Sequence, residues 1–133
     1  MILGFSGTRD GMSTRQSSAL TDILASMYER HEHIFVHGDC IGSDAEAAIL
    51  ADHLCWVVEA RPCTIENMRA HTERRIDCAY HEPKPPLIRN QDIVNQCEIL
   101  IAAPKSLLVQ KGGTWATIHY ARKIGRPVII LDP

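Results

Sequence analysis

The chain of 133 residues carries 14 Lys and Arg against 16 Asp and Glu, a formal net charge of −2, with 45% hydrophobic and 5% aromatic residues. This apolar content argues against disorder, while the near-neutral charge and scarce aromatics argue against nucleic acid as a partner. No apolar run approaches the roughly 20 residues that cross a bilayer, and MILGFSG does not open like a signal peptide. The expectation is one soluble domain over residues 1–133, in the cytoplasm and without membrane attachment. The five cysteines (Cys40, Cys55, Cys63, Cys78, Cys97) are odd in number and form no C-x-x-C pair, so reduced thiols are expected.

Residues 1 to 6 form an apolar strand ending at Gly7. After it, Leu20, Ile23, Leu24, Met27 and Tyr28 recur at helical spacing, with Ser13 and Gln16 as a capping box at the helix start. The order repeats: Ile34–Val36 reads as a strand, His37 to Asp44 as a loop, and Ala47, Leu50, Ala51 and Leu54 as a helix face behind a second capping box, Ser43 with Glu46. A third strand is expected at Cys55–Ala60, stopped by Pro62. From Arg61 to Leu87 charge is dense and Pro83, Pro85 and Pro86 break helices, so a mobile or ligand-contacting connection is expected. A short helix at Arg89–Gln96, a strand at Glu98–Ala103, a loop at Pro104–Lys111, a helix opened by Gly112-Gly113-Thr114 and closed by Gly125 at C′, and a strand at Pro127–Leu131 complete the chain. Alternation of this kind predicts an α/β, Rossmann-like, doubly wound and mostly parallel sheet of about five strands with helices on both faces.

Six of the eight glycines (Gly7, Gly11, Gly38, Gly42, Gly112, Gly113) fall in three loops that each follow a strand and precede a helix. In a parallel sheet such loops share one edge, where free N–H groups and helix dipoles favour anions and glycine lets the backbone approach a phosphate. A phosphorylated ligand is the inference, against the alternative that the glycines only make tight turns. The loops match neither the Walker pattern nor G-x-G-x-x-G.

The segments Gly4-Phe5-Ser6-Gly7-Thr8-Arg9, His37-Gly38-Asp39-Cys40-Ile41-Gly42-Ser43-Asp44, Arg89-Asn90, Gly112-Gly113-Thr114-Trp115-Ala116-Thr117 and Gly125-Arg126-Pro127-Val128 together resemble the SLOG superfamily. Those Rossmann-like domains include the lonely-guy phosphoribohydrolases, the DNA-processing DprA/Smf proteins and the small YpsA-related proteins, the branch that this chain most resembles. The resemblance covers nearly the whole chain and is weakest from Arg61 to Leu87. It implies a nucleotide or nucleotide-derived ligand of phosphoribosyl or ADP-ribose type. Gly112, Gly113, Thr114 and Thr117 would take its phosphate, and Ser6, Gly7, Thr8 and Arg9 would form the opposite wall. Gly38, Asp39, Gly42, Ser43 and Asp44 would close the ribose or base side, while Arg89 and Asn90 would supply charge and an amide. Homo-oligomers are implied as well.

One departure bears on chemistry. Lonely-guy enzymes carry P-G-G-x-G-T-x-x-E in the late loop; with Thr114 set on the motif threonine, Thr117 stands at the glutamate position. Bond cleavage would then need another carboxylate, and Asp39, Asp44 and Glu46 are the candidates. Three functions stay open: a nucleotide-binding sensor or sequestering domain, a nucleotide N-glycosidase that releases free base and ribose phosphate, and a DprA-like DNA-associated protein. Alternatives also stay open at single residues: Arg9 as a solvated cation, Asp44 as a partner of the helix dipole, Asn90 as a turn residue, Thr117 as core. His31-x-His33, His37-x-Asp39-Cys40 and Cys78-x-x-His81 lack a second half for tetrahedral zinc, so no metal and no other cofactor is expected. No G-x-S-x-G elbow is present.

Overall fold

The computed structural model describes residues 1–27 and 32–133. Tyr28 and His31 therefore lie outside the described residues. The strands are β1 (Ile2–Gly7), β2 (Ile34–His37), β3 (Val57–Ala60), β4 (Ala79–Tyr80), β5 (Ile99–Ala103) and β6 (Val128–Ile130); the helices are α1 (Thr14–Ser26), α2 (Ser43–His53), α3 (Pro86–Gln96) and α4 (Gly113–Lys123). All the strand pairs are parallel, in the order β4-β3-β2-β1-β5-β6. The expected α/β, doubly wound architecture is thus observed, with six strands among the described residues in place of about five.

The extra strand, β4, pairs two residues with Glu59 and Ala60 at the sheet edge. Two residues are too few to leave a periodic signal in sequence. Strand β3 starts at Val57, later than expected, because Cys55 takes a left-handed φ of 64° and Trp56 turns into the core. Helix α3 starts at Pro86, earlier than expected. Proline at the first helical position gives up an N–H that has no intrahelical partner anyway, so Pro86 begins the helix and does not break it.

The chain builds outward from β1 through β2, β3 and β4, then returns to the other side of β1 with β5 and β6. That reversal between β1 and β5 is where open parallel sheets leave a crevice beyond their carboxyl ends. Helices α1 and α2 pack together over a core of Leu3, Phe5, Leu20, Leu24 and Phe35. On the other face α3 packs on α4, with Val94, Cys97, Leu100 and Ala121 between them and the sheet. At α1 the expected capping box is present: Gln16 N–H donates to Ser13 Oγ and Ser13 N–H to Gln16 Oε1, each at 3.0 Å. Gln16 also donates to the carbonyls of Pro104 and Leu131, tying α1 to the ends of β5 and β6.

The stretch from Arg61 to Leu87 is built around two short 3-10 turns and β4. Asp39 holds it down. Its carboxylate accepts the Thr72 N–H (2.9 Å), the Thr72 hydroxyl (2.7 Å) and the Tyr80 hydroxyl (2.7 Å). Burial alone would push this carboxyl up, but those donors and the neighbouring His37 hold it below the ordinary carboxylate value.

Candidate functional site

The three glycine loops meet at one cavity of about 630 Å³ at the carboxyl edge of the sheet, within the range of small-molecule sites, roughly 300 to 1,000 Å³. Ser6 to Asp10 bring the end of β1, and Gly38, Cys40 and Asp44 bring the end of β2. Arg89 and Asn90 come from α3, and Lys111 to Trp115 from the entry to α4. Thus Ser6, Gly7, Thr8, Arg9, Gly38, Asp44, Arg89, Asn90, Gly112, Gly113 and Thr114 are brought together where the sequence reading places them.

Five expected site residues do not line this cavity. Asp39 faces Thr72 and Tyr80, as described. Gly42 and Ser43 stitch two loops: Ser43 N–H and hydroxyl both donate to the Thr8 carbonyl, at 3.1 and 2.6 Å. Gly42, with φ 86°, is the N-cap of α2, so the expected Ser43–Glu46 capping box does not form. Glu46 instead accepts the Met12 N–H at 3.1 Å. Thr117 is buried, and its hydroxyl donates to the Gly113 carbonyl one turn back, at 2.8 Å. The core reading of Thr117 matches that position.

The three helix starts differ in what they offer a ligand. The α1 start is closed by its capping box, and α2 carries Asp44 and Glu46 in its first turn. The α4 start has neither: Gly112 (φ 94°) provides no side-chain cap, and no acidic residue sits in the first turn. Free N–H groups and the positive end of the dipole therefore open onto the cavity at Gly112–Thr114. Around them stand Arg9, Lys105 and Lys111. Lys105 is bound to Asp10 at 2.8 Å, which holds that carboxyl below its ordinary value. Arg9 and Lys111 form no ion pair among the described residues.

Beneath this rim lies a buried polar layer. Asp44 accepts the N–H groups of Gly38 (3.1 Å) and Cys40 (3.2 Å). Burial pushes its carboxyl up to about 6, against the opposing pull of Arg89 and of the Cys40, Gly38 and Gly7 N–H groups. Arg89, 4% exposed, donates to the carbonyls of Gly38 and Arg61, the Cys40 sulfur and the Asn90 amide. The Cys40 thiol is raised to about 12, mainly by burial and by the Asp44 charge, so it is no nucleophile at neutral pH. His37, fully buried, accepts the Asp39 N–H at 3.0 Å on Nδ1 and is pushed down to about 4, first by burial and further by Arg89, against the opposing charge of Asp39.

The pH response of Asp44 and His37 has opposite signs. His37 is neutral when folded, so its contribution is present above 6.5 and is lost as pH falls towards about 4. Asp44 is raised, so its contribution is present below 3.8 and is lost as pH rises through about 6. Each is worth roughly 3 kcal/mol, and they offset each other over that window. In Asp44→Asn the offset is gone. Its urea-denaturation free energy is expected to fall about 3 kcal/mol further than the wild type's between pH 7 and pH 4; parallel pH curves would refute this.

Sequence reasoning missed the cavity's apolar wall, Phe5, Met68, Ile93, Val109 and Trp115, together with Lys105 and Ser106. The signal available for Lys105 and Ser106 was their place directly after β5, at the same sheet edge as the glycine loops. Met68 lies in the Arg61–Leu87 connection, for which ligand contact is one of the two expectations, but nothing in the sequence singles it out, because it reaches the cavity through the irregular stretch that Asp39 anchors. Trp115 is fixed by its indole N–H, which donates to the Ser106 carbonyl at 3.0 Å.

Neither a protein-family model nor a curated protein matches the sequence. Solved structures do match the fold. The molybdenum cofactor binding protein from Rippkaea orientalis aligns with a TM-score of 0.70 at 18% identity, over 97% of this chain and 74% of that one. DNA processing protein A from Streptococcus pneumoniae aligns at 0.73 and 17% identity, over 96% of this chain and 49% of that one. The Helicobacter pylori protein of that name, described with a single-stranded DNA binding mode, aligns at 0.71 and 16%, over 100% and 66%. The chain has a SLOG-type fold. The chain spans about half the length of the pneumococcal protein.

Among the described residues, no helix is long and apolar enough to cross a membrane. Nor, among them, does any group of three or more His, Cys, Asp or Glu side chains come together as a metal cluster.

Proposed function

We propose that this protein binds a small phosphorylated ligand of nucleotide type, with the phosphoryl group at the start of α4, and acts as a sensor or sequestering domain. The observation that carries the reading is the uncapped, acid-free α4 start, opening at Gly112–Thr114 into a nucleotide-sized cavity rimmed by Arg9 and Lys111. The described structures of similar fold point the same way in part, since one binds a molybdenum cofactor. Others process or bind DNA, so a single-stranded oligonucleotide belongs in the test.

Gly113→Val is the decisive variant. A Cβ at Gly113 meets nothing within 4 Å and the residue is not in the left-handed region, so the fold is expected to stay native by circular dichroism. The added side chain occupies the space of the anion. Calorimetric titration with nucleoside 5′-monophosphates and ADP-ribose is expected to show at least a 30-fold loss of affinity, about 2 kcal/mol. Unchanged affinity removes the phosphate from this loop.

A second reading, cleavage of the N-glycosidic bond, is favoured by one observation: Asp44 borders the cavity, where burial pushes its carboxyl up to about 6. Mass spectrometry of the same mixtures decides between the two. Unchanged ligand supports binding, and free base with ribose phosphate supports hydrolysis.

A further inference from the structure

The Arg-Asn pair at the front of α3 sorts donors from acceptors. Arg89 Nε lies 2.8 Å from one terminal atom of the Asn90 amide, and a guanidinium nitrogen only donates. That amide atom is therefore the oxygen, whichever way the side chain is drawn. Its Nδ2 has no protein hydrogen-bond partner among the described residues, and Asn90 lines the cavity. The rest of the Arg89 guanidinium is taken up by Gly38, Arg61 and Cys40. Arg89 is thus no clamp for a ligand anion. It positions Asn90, leaving two uncharged N–H donors for whatever fills the cavity.

Those bonds fix the pair beside the end of β2, whereas Gly112–Thr114 follow β5. Strand β1 lies between, so the two ends are separated by two strand spacings, about 10 Å. We infer that Asn90 reads the neutral end of a nucleoside 5′-phosphate: Nδ2 donates to an uncharged acceptor on the sugar or base while α4 holds the phosphoryl group. The inference rests on the phosphoryl placement proposed above.

The test compares inorganic phosphate with AMP, GMP, CMP and UMP by calorimetric titration, taking for each variant the ratio of nucleotide to phosphate affinity. Asn90→Ala removes the donors and is expected to lower that ratio about tenfold for the tightest nucleotide. Asn90→Asp keeps the oxygen that accepts from Arg89 but sets lone pairs against the ligand's acceptor, and is expected to lower the ratio further, at least 30-fold. A purely structural role reverses this order, because Asp preserves the Arg89 bond and Ala loses it. Thus Asn90→Asp matching the wild type while Asn90→Ala is impaired overturns the inference. Unchanged ratios in both variants, with Gly113→Val still losing affinity, overturn it while leaving the α4 reading intact. A wild type that binds no nucleotide more tightly than phosphate overturns both.

Discussion

Gly42→Ala is expected to destabilise the protein by about 2 to 6 kcal/mol, the sum of a penalty of about 1 to 3 for a side chain in a sparsely populated positive-φ conformation and an overpacking penalty of about 1 to 3. Gly42 has φ 86°, and a Cβ there lies 2.5 Å from the Arg9 carbonyl carbon and closer still to its oxygen. These are backbone atoms, so no side chain can swing aside. The loop after β1 must move, and with it Thr8 and Arg9 on the cavity wall, although Gly42 itself does not line the cavity. Denaturant unfolding measures the first effect, and ligand titration of the folded fraction the second. Gly113→Ala is the matched control, since a Cβ at Gly113 meets open space. Equal stability of the two alanine variants would show that the loops are not locked together at Gly42.

Arg89→Met is expected to cost about 3 to 5 kcal/mol, since buried acceptors that lose a charged donor cost roughly 1 to 3 kcal/mol each. Methionine fills similar length, so lost volume contributes little. What is lost is the donor set to Gly38, Arg61, Cys40 and Asn90, and the positive charge that opposes the rise of the Asp44 carboxyl. For a chain of this size the thermal midpoint is expected to drop by about 10 °C or more. A second change follows in titration: with the guanidinium gone, Asp44 rises further, so the variant loses more of its stability between pH 5 and pH 7 than the wild type. A loss under about 1 kcal/mol would mean that water replaces the guanidinium, against its 4% exposure.

What the sequence made legible follows from the range over which each signal acts. The recurring order of apolar run, glycine and helical face is local, and in a parallel sheet it forces the loops onto one edge; Gly7, Gly38 and Gly113 accordingly meet at one cavity. The Ser13–Gln16 box is local too, and it forms. Side-chain partners are not local. Asp39 sits between two expected site residues yet turns to Thr72 and Tyr80, more than 30 positions away, and Glu46 turns to Met12. Arg89 reads as a cation for a ligand, but its donors end on carbonyls just past β2 and β3 that only the fold brings near. The prolines misled for a different reason: their effect depends on position within a helix, and Pro86 occupies the one turn that tolerates it.

The chain has two tryptophans, and their settings differ. Trp56 is sealed under α1, its indole N–H on the Leu24 carbonyl and its ring against His33. Trp115 borders the cavity at the first turn of α4, next to the proposed phosphoryl position. One indole is therefore a constant background and the other an optical gauge of occupancy. If the proposed site is occupied, a change of emission on adding a ligand is expected to come from Trp115, so the unmodified protein can be screened against compound libraries by its own fluorescence, without a dye, a tag or an assumed reaction.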